Sequence, residues 1–317
     1  MRRILQALRR EGVLGINQRN SRYTLRWNPR RLYPLVDDKL KTKELCQAAG
    51  IPTPRLLAVA REHFELRGLR ARLDGEERFV LKPSRGAMGN GILIVRGRRG
   101  DGFIRSGGKS LTTQDLLYHA AGIISGMYAL GGQPDSAMVE ELLEVHPTLV
   151  EITQDGVPDV RVIVYRGIPV MAMVRLPTLA SGGRANLHQG AVGVGVDLVS
   201  GLATHAVCYN RPIRRHPDSR VPLLGRPFPD FERVVRIALR AADQVGLGYV
   251  GADVVVDARY GPVILELNAR PGLAVQLANR AGLRPRLTAV DDTWRPDRPF
   301  EERITLAREI ASSGKLA

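Results

Sequence analysis

The sequence predicts an α+β fold built on antiparallel sheets. Three observations lead there. Strand-like segments fall next to one another as hairpins, helical segments separate groups of hairpins, and no regular strand-helix-strand rhythm of a doubly wound sheet appears. The 317 residues, 44% hydrophobic and 25% charged, are enough to bury a sizeable core in one domain or two packed subdomains.

The first segment, "MRRILQALRREGVLG", interleaves apolar residues with arginine. It therefore lacks the continuous apolar core of a signal peptide and reads as an amphipathic helix, with attachment to a membrane surface as the lesser alternative. "DDKLKTKELCQAAGIPTP" follows with its own punctuation: an aspartate to cap, good helix formers, Gly50 at the stop and Pro52 beyond, a helix of about three turns. Residues 55 to 75 carry little pattern. "RFVLKP" and "GILIVRG" read as strands joined by a glycine loop, and "DGFIRSGGKS" as an exposed turn.

"LTTQDLLYHAAGIISGMYALGG" is expected as a helix capped near Thr112 or Thr113 and stopped at Gly131, and its Asp115 and His119 mark it as a core helix rather than a membrane segment. "AMVEELLE" is a short strand, and "DVRVIVYRGIPVMAMVRLP" a hairpin about Arg166 and Gly167. The glycine-rich "SGGRANLHQGAVGVGVD" is expected to be mobile. "PDFERVVRIALRAADQVGLG" is an amphipathic helix from a cap at Asp230 to a stop at Gly246, "YVGADVVVDARYGPVILELNARPG" a second hairpin, and the chain after Leu283 a peripheral tail.

The 47 basic against 32 acidic residues leave a net charge of +15, a surplus that attracts nucleic acid, phosphorylated ligands, acidic peptides or anionic membranes without choosing among them. Nearly all of it is arginine; the lysines are Lys39, Lys41, Lys43, Lys82, Lys109 and Lys315. Two cysteines, Cys46 and Cys208, make no disulfide framework and suit a reducing cytoplasm, and the six histidines lack metal-ligand spacing. No apolar run reaches the ~18 residues that a membrane-spanning helix needs. A transmembrane segment is therefore not expected.

Two constellations carry chemistry. In "FVLKPSRGAMGNGILIV" Lys82 precedes Gly86, Gly89 and Gly91. A Walker loop needs its lysine after the glycines and a helix behind it, and a Rossmann loop also opens a helix; here a strand follows. What remains is a hairpin tip nearly free of side chains, whose N–H groups can approach phosphate oxygens while Lys82 supplies a point charge. The plainer alternative is a glycine-rich turn and nothing more.

The second constellation is "GADVVVDARYGPVILELN". Its tightest symmetric hairpin turns on Ala258 to Gly261 and sets Asp253 opposite Glu266, with Asn268 two residues further on the same face. Facing carboxylates repel and call for a cation, and oxygen donors without histidine or thiolate favour Mg²⁺ or Mn²⁺. In the alternative, Asp253 pairs with an arginine and Asn268 caps the turn before Pro271.

With these motifs in place the chain resembles the ATP-grasp superfamily, in particular the alpha-L-glutamate ligase-like branch that includes ribosomal-protein glutamate ligases. The resemblance runs from about residue 37 to 283 through "DDKLKTKELCQAAGIPTP", "VLKPSRGAMGNGI", "VEELLE", "DVRVIVYRG", "RANLHQGA" and "GADVVV…ILELNARPGL", in the family's order. It implies an ATP-grasp fold of two α+β subdomains with antiparallel sheets gripping ATP between them. The expected divisions are residues 37–136 with the glycine lid, 137–290 with the metal site, and a tail at 291–317.

The resemblance also implies roles. Lys39 and Lys82 contact nucleotide phosphates together with the lid glycines; Glu140 and Glu141 belong to the hinge that holds adenine or ribose; Asp253, Glu266 and Asn268 hold Mg²⁺ or Mn²⁺; and Arg175, with Lys82, steadies the transferring phosphoryl group. Asp159, Arg161, Arg184, Asn186 and His188 match substrate-side positions, although His188 reads equally well as a structural histidine. Family members usually carry a domain before the first helix. Residues 1–36 are expected as a short basic segment in its place, with a homodimer contact or a partner protein completing the cleft.

The implied activity is ADP-forming carboxylate–amine ligation in the cytoplasm: ATP phosphorylates an amino-acid or peptide carboxylate, and an amine displaces phosphate from the acyl phosphate. The arginine surplus suits glutamate or a similar acidic amino acid. Two alternatives stand beside it, an ATP-grasp enzyme of cell-surface polymer or sugar-linked assembly, and a non-catalytic nucleotide- or nucleic-acid-binding protein. Aromatic content of 5% and no aromatic RNA-binding motif argue against a specific nucleic-acid partner.

Overall fold

The computed structural model describes residues 2–86, 89–153 and 156–313. Ala87 and Met88 of the expected lid, and residues 314–317 of the expected tail with Lys315 among them, lie outside the described residues. Two compact units form: a smaller one from Asp38–Leu40 and Thr53–Glu144, and a larger one from Met1–Asp37, Lys41–Pro52 and Val145–Ala317.

The smaller unit is a six-stranded antiparallel sheet in the order β1-β6-β2-β3-β4-β5. Its strands are β1 Leu56–Ala60, β2 Phe79–Pro83, β3 Leu93–Arg99, β4 Gly102–Arg105, β5 Ser110–Leu111 and β6 Ala137–Glu141. Helices Leu66–Arg72 and Thr113–Ile124 join its apolar core through Leu69, Leu116, Ala120 and Ile123, against Phe79, Leu81, Val95 and Val139. The 101–110 stretch is not the exposed turn its composition suggests. It forms β4 and the start of β5, because Phe103 is buried edge-on to Phe79 at 5.3 Å, a pairing that one aromatic among polar residues does not advertise.

Thr112 and Asp115 cap helix Thr113–Ile124 reciprocally, Thr112 Oγ1 accepting from Asp115 N at 3.0 Å. The helix stops at Ile124 rather than at Gly131. Gly126 has φ +80°, and a Cβ there would lie 2.4 Å from the Gln133 carbonyl oxygen, so the chain turns on a glycine packed against backbone.

The larger unit holds a seven-stranded antiparallel sheet in the order β11-β10-β9-β8-β7-β12-β13. These are β7 Asp159–Tyr165, β8 Ile168–Leu176, β9 Val192–Val196, β10 Ala203–Cys208, β11 Arg211–Ile213, β12 Tyr249–Asp257 and β13 Gly261–Asn268. The β7–β8 hairpin turns on Arg166 and Gly167, at φ +47° and +77°, the left-handed pair that a two-residue turn needs. Val160, Val162, Val164, Val250, Ala252 and Val254 point one way, into a core shared with helix Phe231–Asp243. On the other face Ile163, Tyr165, Met171, Met173 and Tyr249 belong to a second core.

That second core differs from expectation in two places. The chain after Leu283 is more than the peripheral tail expected: helices Arg284–Thr293 and Phe300–Ser313 bury Leu287, Val290, Leu306, Ala307 and Ile310 in it. Their apolar residues are spaced among arginines and prolines, which hides the stripe. The glycine-rich run after residue 181 contains β9, buried along its whole length. Gly195 explains the composition, since a Cβ on it would lie 2.4 Å from the Ala278 carbonyl oxygen of helix Ala274–Asn279.

Candidate functional site

In the smaller unit, β2 and β6 pair so that Lys82 lies opposite Met138 and Val80 opposite Glu140. Lys82 and Glu140 are thus diagonal neighbours on one face. Their Nζ and Oε2 meet at 2.5 Å with side chains only 10% and 5% exposed, so solvent does little to screen the pair. Glu141 points elsewhere: its Oε1 accepts from Arg55 N at 2.7 Å and ties the end of β6 to the start of β1. Lys39 donates from Nζ to the Gly86 carbonyl at 2.7 Å, and its backbone N–H to Ser84 O at 2.9 Å.

The glycine loop is rooted at both ends. On one side the buried Asp135 accepts from Ser84 Oγ at 2.7 Å, Arg85 N at 3.0 Å and Ser136 N at 2.6 Å. On the other, His119 Nε2 donates to Gly91 O at 2.9 Å and its ring lies 5.2 Å from that of Tyr128. Gly91 has φ +74°, and a Cβ would meet Tyr128 at 2.6 Å; Gly89 also has positive φ, +78°. Sequence reading missed Asp135 and took His119 only as the mark of a core helix, because neither belongs to the motif itself.

In the larger unit, five charged side chains form a ladder across four strands. Register places Asp159 opposite Arg175, Arg161 opposite Asp253, and Asp253 opposite Glu266. Arg175 Nε and Nη2 donate to both oxygens of Asp159 at 2.5 and 2.6 Å, and Nη2 also to Asp253 Oδ2 at 2.7 Å. Arg161 Nε and Nη2 donate to the two oxygens of Asp253 at 2.8 and 2.6 Å. Asn268 Nδ2 lies 3.3 Å from Glu266 Oε1 and 3.4 Å from Asp253 Oδ2.

The opposition of Asp253 and Glu266 is reached by a different route from the symmetric turn. Asp257 pairs with Gly261, which shortens the loop to Ala258–Tyr260, and a bulge at Leu265 then restores the register. The facing carboxylates are not bare. Asp253, 1% exposed, has its charge met by Arg161 and Arg175, the pairing that one half of the alternative reading expected, while Asn268 turns toward Glu266 and Asp253.

Burial by itself would raise the Asp253 pKa, but Arg161 and Arg175 overcome it and hold the carboxyl well below the ordinary range. Asp159 has only a share of Arg175. Burial, with the Asp253 charge adding to it, pushes Asp159 up to about 6. Arg175 is itself buried, yet the Asp159 and Asp253 charges outweigh that and raise its pKa.

Among the described residues no group of three or more His, Cys, Asp and Glu side chains is gathered as a metal cage. The donors that could hold a divalent cation are Glu266 and Asn268, with Asp253 chiefly committed to its arginines. Their hard oxygens fit Mg²⁺ or Mn²⁺. Arg184 and His188 are exposed, and Asn186 Oδ1 accepts from His188 N at 3.0 Å as the cap of a short turn. No hydrogen bond or ion pair recorded among the described residues ties the three to the ladder. No helix among the described residues is long and apolar enough to cross a membrane.

Residues 18–292 match the profile of a family described as sugar-transfer associated ATP-grasp. No curated protein matches the chain. Among solved structures, the biotin carboxylase domain of 2-oxoglutarate carboxylase from Hydrogenobacter thermophilus aligns at 15% identity and a TM-score of 0.50, over 86% of this chain and 49% of that one. The ATP-grasp ligase PsnB with a minimal precursor aligns at 20% identity, TM-score 0.43, over 84% of this chain and 62% of that one. The D-alanine-D-alanine ligase from Coxiella burnetii aligns at 15% identity, TM-score 0.45, over 90% and 61%. The chain thus spans less than two thirds of the length of each of these three.

Proposed function

This chain belongs to the sugar-transfer associated ATP-grasp family and has the α+β fold with two antiparallel sheets, and from that premise we propose that it is an ADP-forming carboxylate–amine ligase. The observation that carries the reading is the charge ladder of Asp159, Arg161, Arg175, Asp253 and Glu266. A buried arginine held on two carboxylates is preorganised to stabilise charge developing on a transferring phosphoryl group, with no reorganisation at the moment of reaction.

Each unit has its own task. In the smaller, Lys82 offers a positive charge to nucleotide phosphates, kept in place by Glu140, and Lys39 braces the start of the lid through the Gly86 carbonyl. The lid offers backbone N–H groups and, once closed, excludes water from a labile acyl phosphate. In the larger, Arg175 neutralises the equatorial oxygens of the phosphoryl group while Asp159 fixes its plane. Glu266 and Asn268 would hold Mg²⁺, which supplies charge neutralisation for the phosphates.

The carboxylate attacks the γ-phosphorus and ADP leaves; the amine then attacks the acyl carbon, loses a proton and expels phosphate. The family description names sugar transfer rather than glutamate addition. A carboxylate or amine borne on a sugar-containing acceptor is therefore the preferred substrate class, and an acidic amino acid the second.

The test is Mg²⁺-dependent ATP turnover with uronic acids, amino sugars, amino acids and acidic peptides, reading ADP against AMP, beside a Glu266→Ala control. Substrate-stimulated ADP lost in the control is the expected result. AMP would replace ligation by adenylation, and tight ATP binding without turnover on any substrate would favour a non-catalytic member.

A further inference from the structure

We propose that the N-terminal segment is a working part of the larger unit's site, and that Arg19 and Asn28 are positioning residues for the loop 269–272 that follows Glu266 and Asn268. The proposal rests on the reading of these two as cation ligands.

Residues 16–27 form a helix that widens to a π-turn over Arg19–Thr24. The wider turn directs Arg19, Tyr23 and Thr24, followed by Asn28, inward while Ser21, Arg22, Leu25 and Arg26 face out. Asn28 Nδ2 donates to Ala269 O at 2.8 Å and to Tyr249 O at 2.7 Å, and its Oδ1 accepts from Tyr249 N at 2.9 Å. One amide thus bridges the β12–β13 ladder just past its last pair, Gly251 and Asn268.

Arg19 Nη1 reaches the next two carbonyls, Pro271 O at 3.0 Å and Arg270 O at 3.5 Å, while Nε and Nη2 hold Asn20 Oδ1 at 3.0 and 2.7 Å. The Arg270 guanidinium lies 5.3 Å from the centre of the Tyr33 ring. Three consecutive residues after Asn268 are therefore held from one segment more than 230 positions away in sequence. An arginine that is 8% exposed and bonded, among the described residues, only to neutral oxygens is a costly way to hold a loop for stability alone.

The held loop lies beside the ladder. Pro271 packs on Gly251, where a Cβ would come within 2.7 Å of it, and Gly251 shares a face with Asp253 on β12. A Cβ on Gly272 would lie 3.9 Å from Arg161 Nη1, the same guanidinium that grips Asp253. Slack in the loop would shift Asn268 at its root and Arg161 at its tip together.

The experiment compares the purified full chain with Arg19→Met, Arg19→Lys and the milder Tyr33→Leu. Hydrogen exchange is followed by mass spectrometry over residues 266–276, and Mn²⁺ binding in the presence of ADP is read from the free-ion paramagnetic resonance signal. Arg19→Met is expected to speed exchange selectively in 266–276 and to weaken Mn²⁺ binding by at least ~10-fold, the scale of supporting residues around metal ligands. Arg19→Lys should recover most of that loss, and Tyr33→Leu should shift both readouts a few-fold in the same direction.

Unchanged Mn²⁺ affinity despite a faster loop would overturn the proposal. So would exchange rising throughout the larger unit in all three variants, which marks a purely structural role. Wild-type chain that binds Mn²⁺ and ADP yet never turns over ATP sinks the ligase reading and leaves the clamp standing; wild-type chain that binds no Mn²⁺ removes the ligand assignment and the clamp with it.

Discussion

The two units handle buried charge differently. In the smaller, the Lys82 ammonium meets a Glu140 carboxylate oxygen across adjacent strands. In the larger, Arg175 is divided between Asp159 and Asp253, and Asp253 between Arg175 and Arg161. A lysine ammonium is a point charge that a phosphate can share with its carboxylate. A guanidinium gripped along its planar edge is fixed in direction as well as position. Under the proposed function, the difference suits one region to binding a mobile polyphosphate and the other to meeting charge at one place.

The largest effect that would break this comparison is Arg175→Met. It strands the buried Asp159 and takes from Asp253 one of its two arginines, so turnover should fall by ~10²-fold or more and stability by about 3–5 kcal/mol in urea unfolding. Adding Asp159→Asn should return only part of the stability, because Asp253 keeps its share of the loss; full recovery would reduce the ladder to separate pairs. Lys82→Met comes next, with an expected loss of ~10²-fold in kcat/KM for ATP. There Glu140→Gln should recover part of the lost stability, and no recovery at all would mean that Lys82 and Glu140 are not coupled.

Gly91→Ala sharpens the comparison at the lid. A Cβ at φ +74° and in contact with Tyr128 should cost at least about 1 kcal/mol, with KM for ATP rising more than kcat falls. An unchanged melting temperature would contradict it.

The smallest effect concerns pH in the larger unit. His216 is fully buried, and burial lowers its pKa below 6.5 even though its Nε2 meets Pro177 O at 3.2 Å. Below that value the unfolded chain takes up a proton that the native state refuses. Stability is therefore intact above pH 6.5 and declines as pH falls, by at most about 1.4 kcal/mol per unit. His216→Gln should flatten that slope between pH 7.5 and 5.5, and an unaltered slope would place the acid sensitivity elsewhere.

Much of the molecule is decided locally and can be read from the chain alone. Arg166 and Gly167 make a two-residue turn because the apolar runs on either side admit no other. A cap near Thr112 opens a helix, and Lys82 stands next to the end of a strand before the glycines; Asp253 does face Glu266, but through a bulge that spacing alone does not foresee. Apart from the bulge, these follow from side-chain period, turn chemistry and spacing within one hairpin.

The partners of those residues are decided only by tertiary structure. Arg161 grips Asp253 across 92 positions and Arg175 grips it across 78, a consequence of β7 lying between β8 and β12. Strand order depends on which faces bury together, and no local pattern encodes it. The same reason hides β9 among glycines, whose bareness makes room for helix Ala274–Asn279, and the closing helices among arginines. Sequence determined which side chains could do chemistry; packing decided which of them meet.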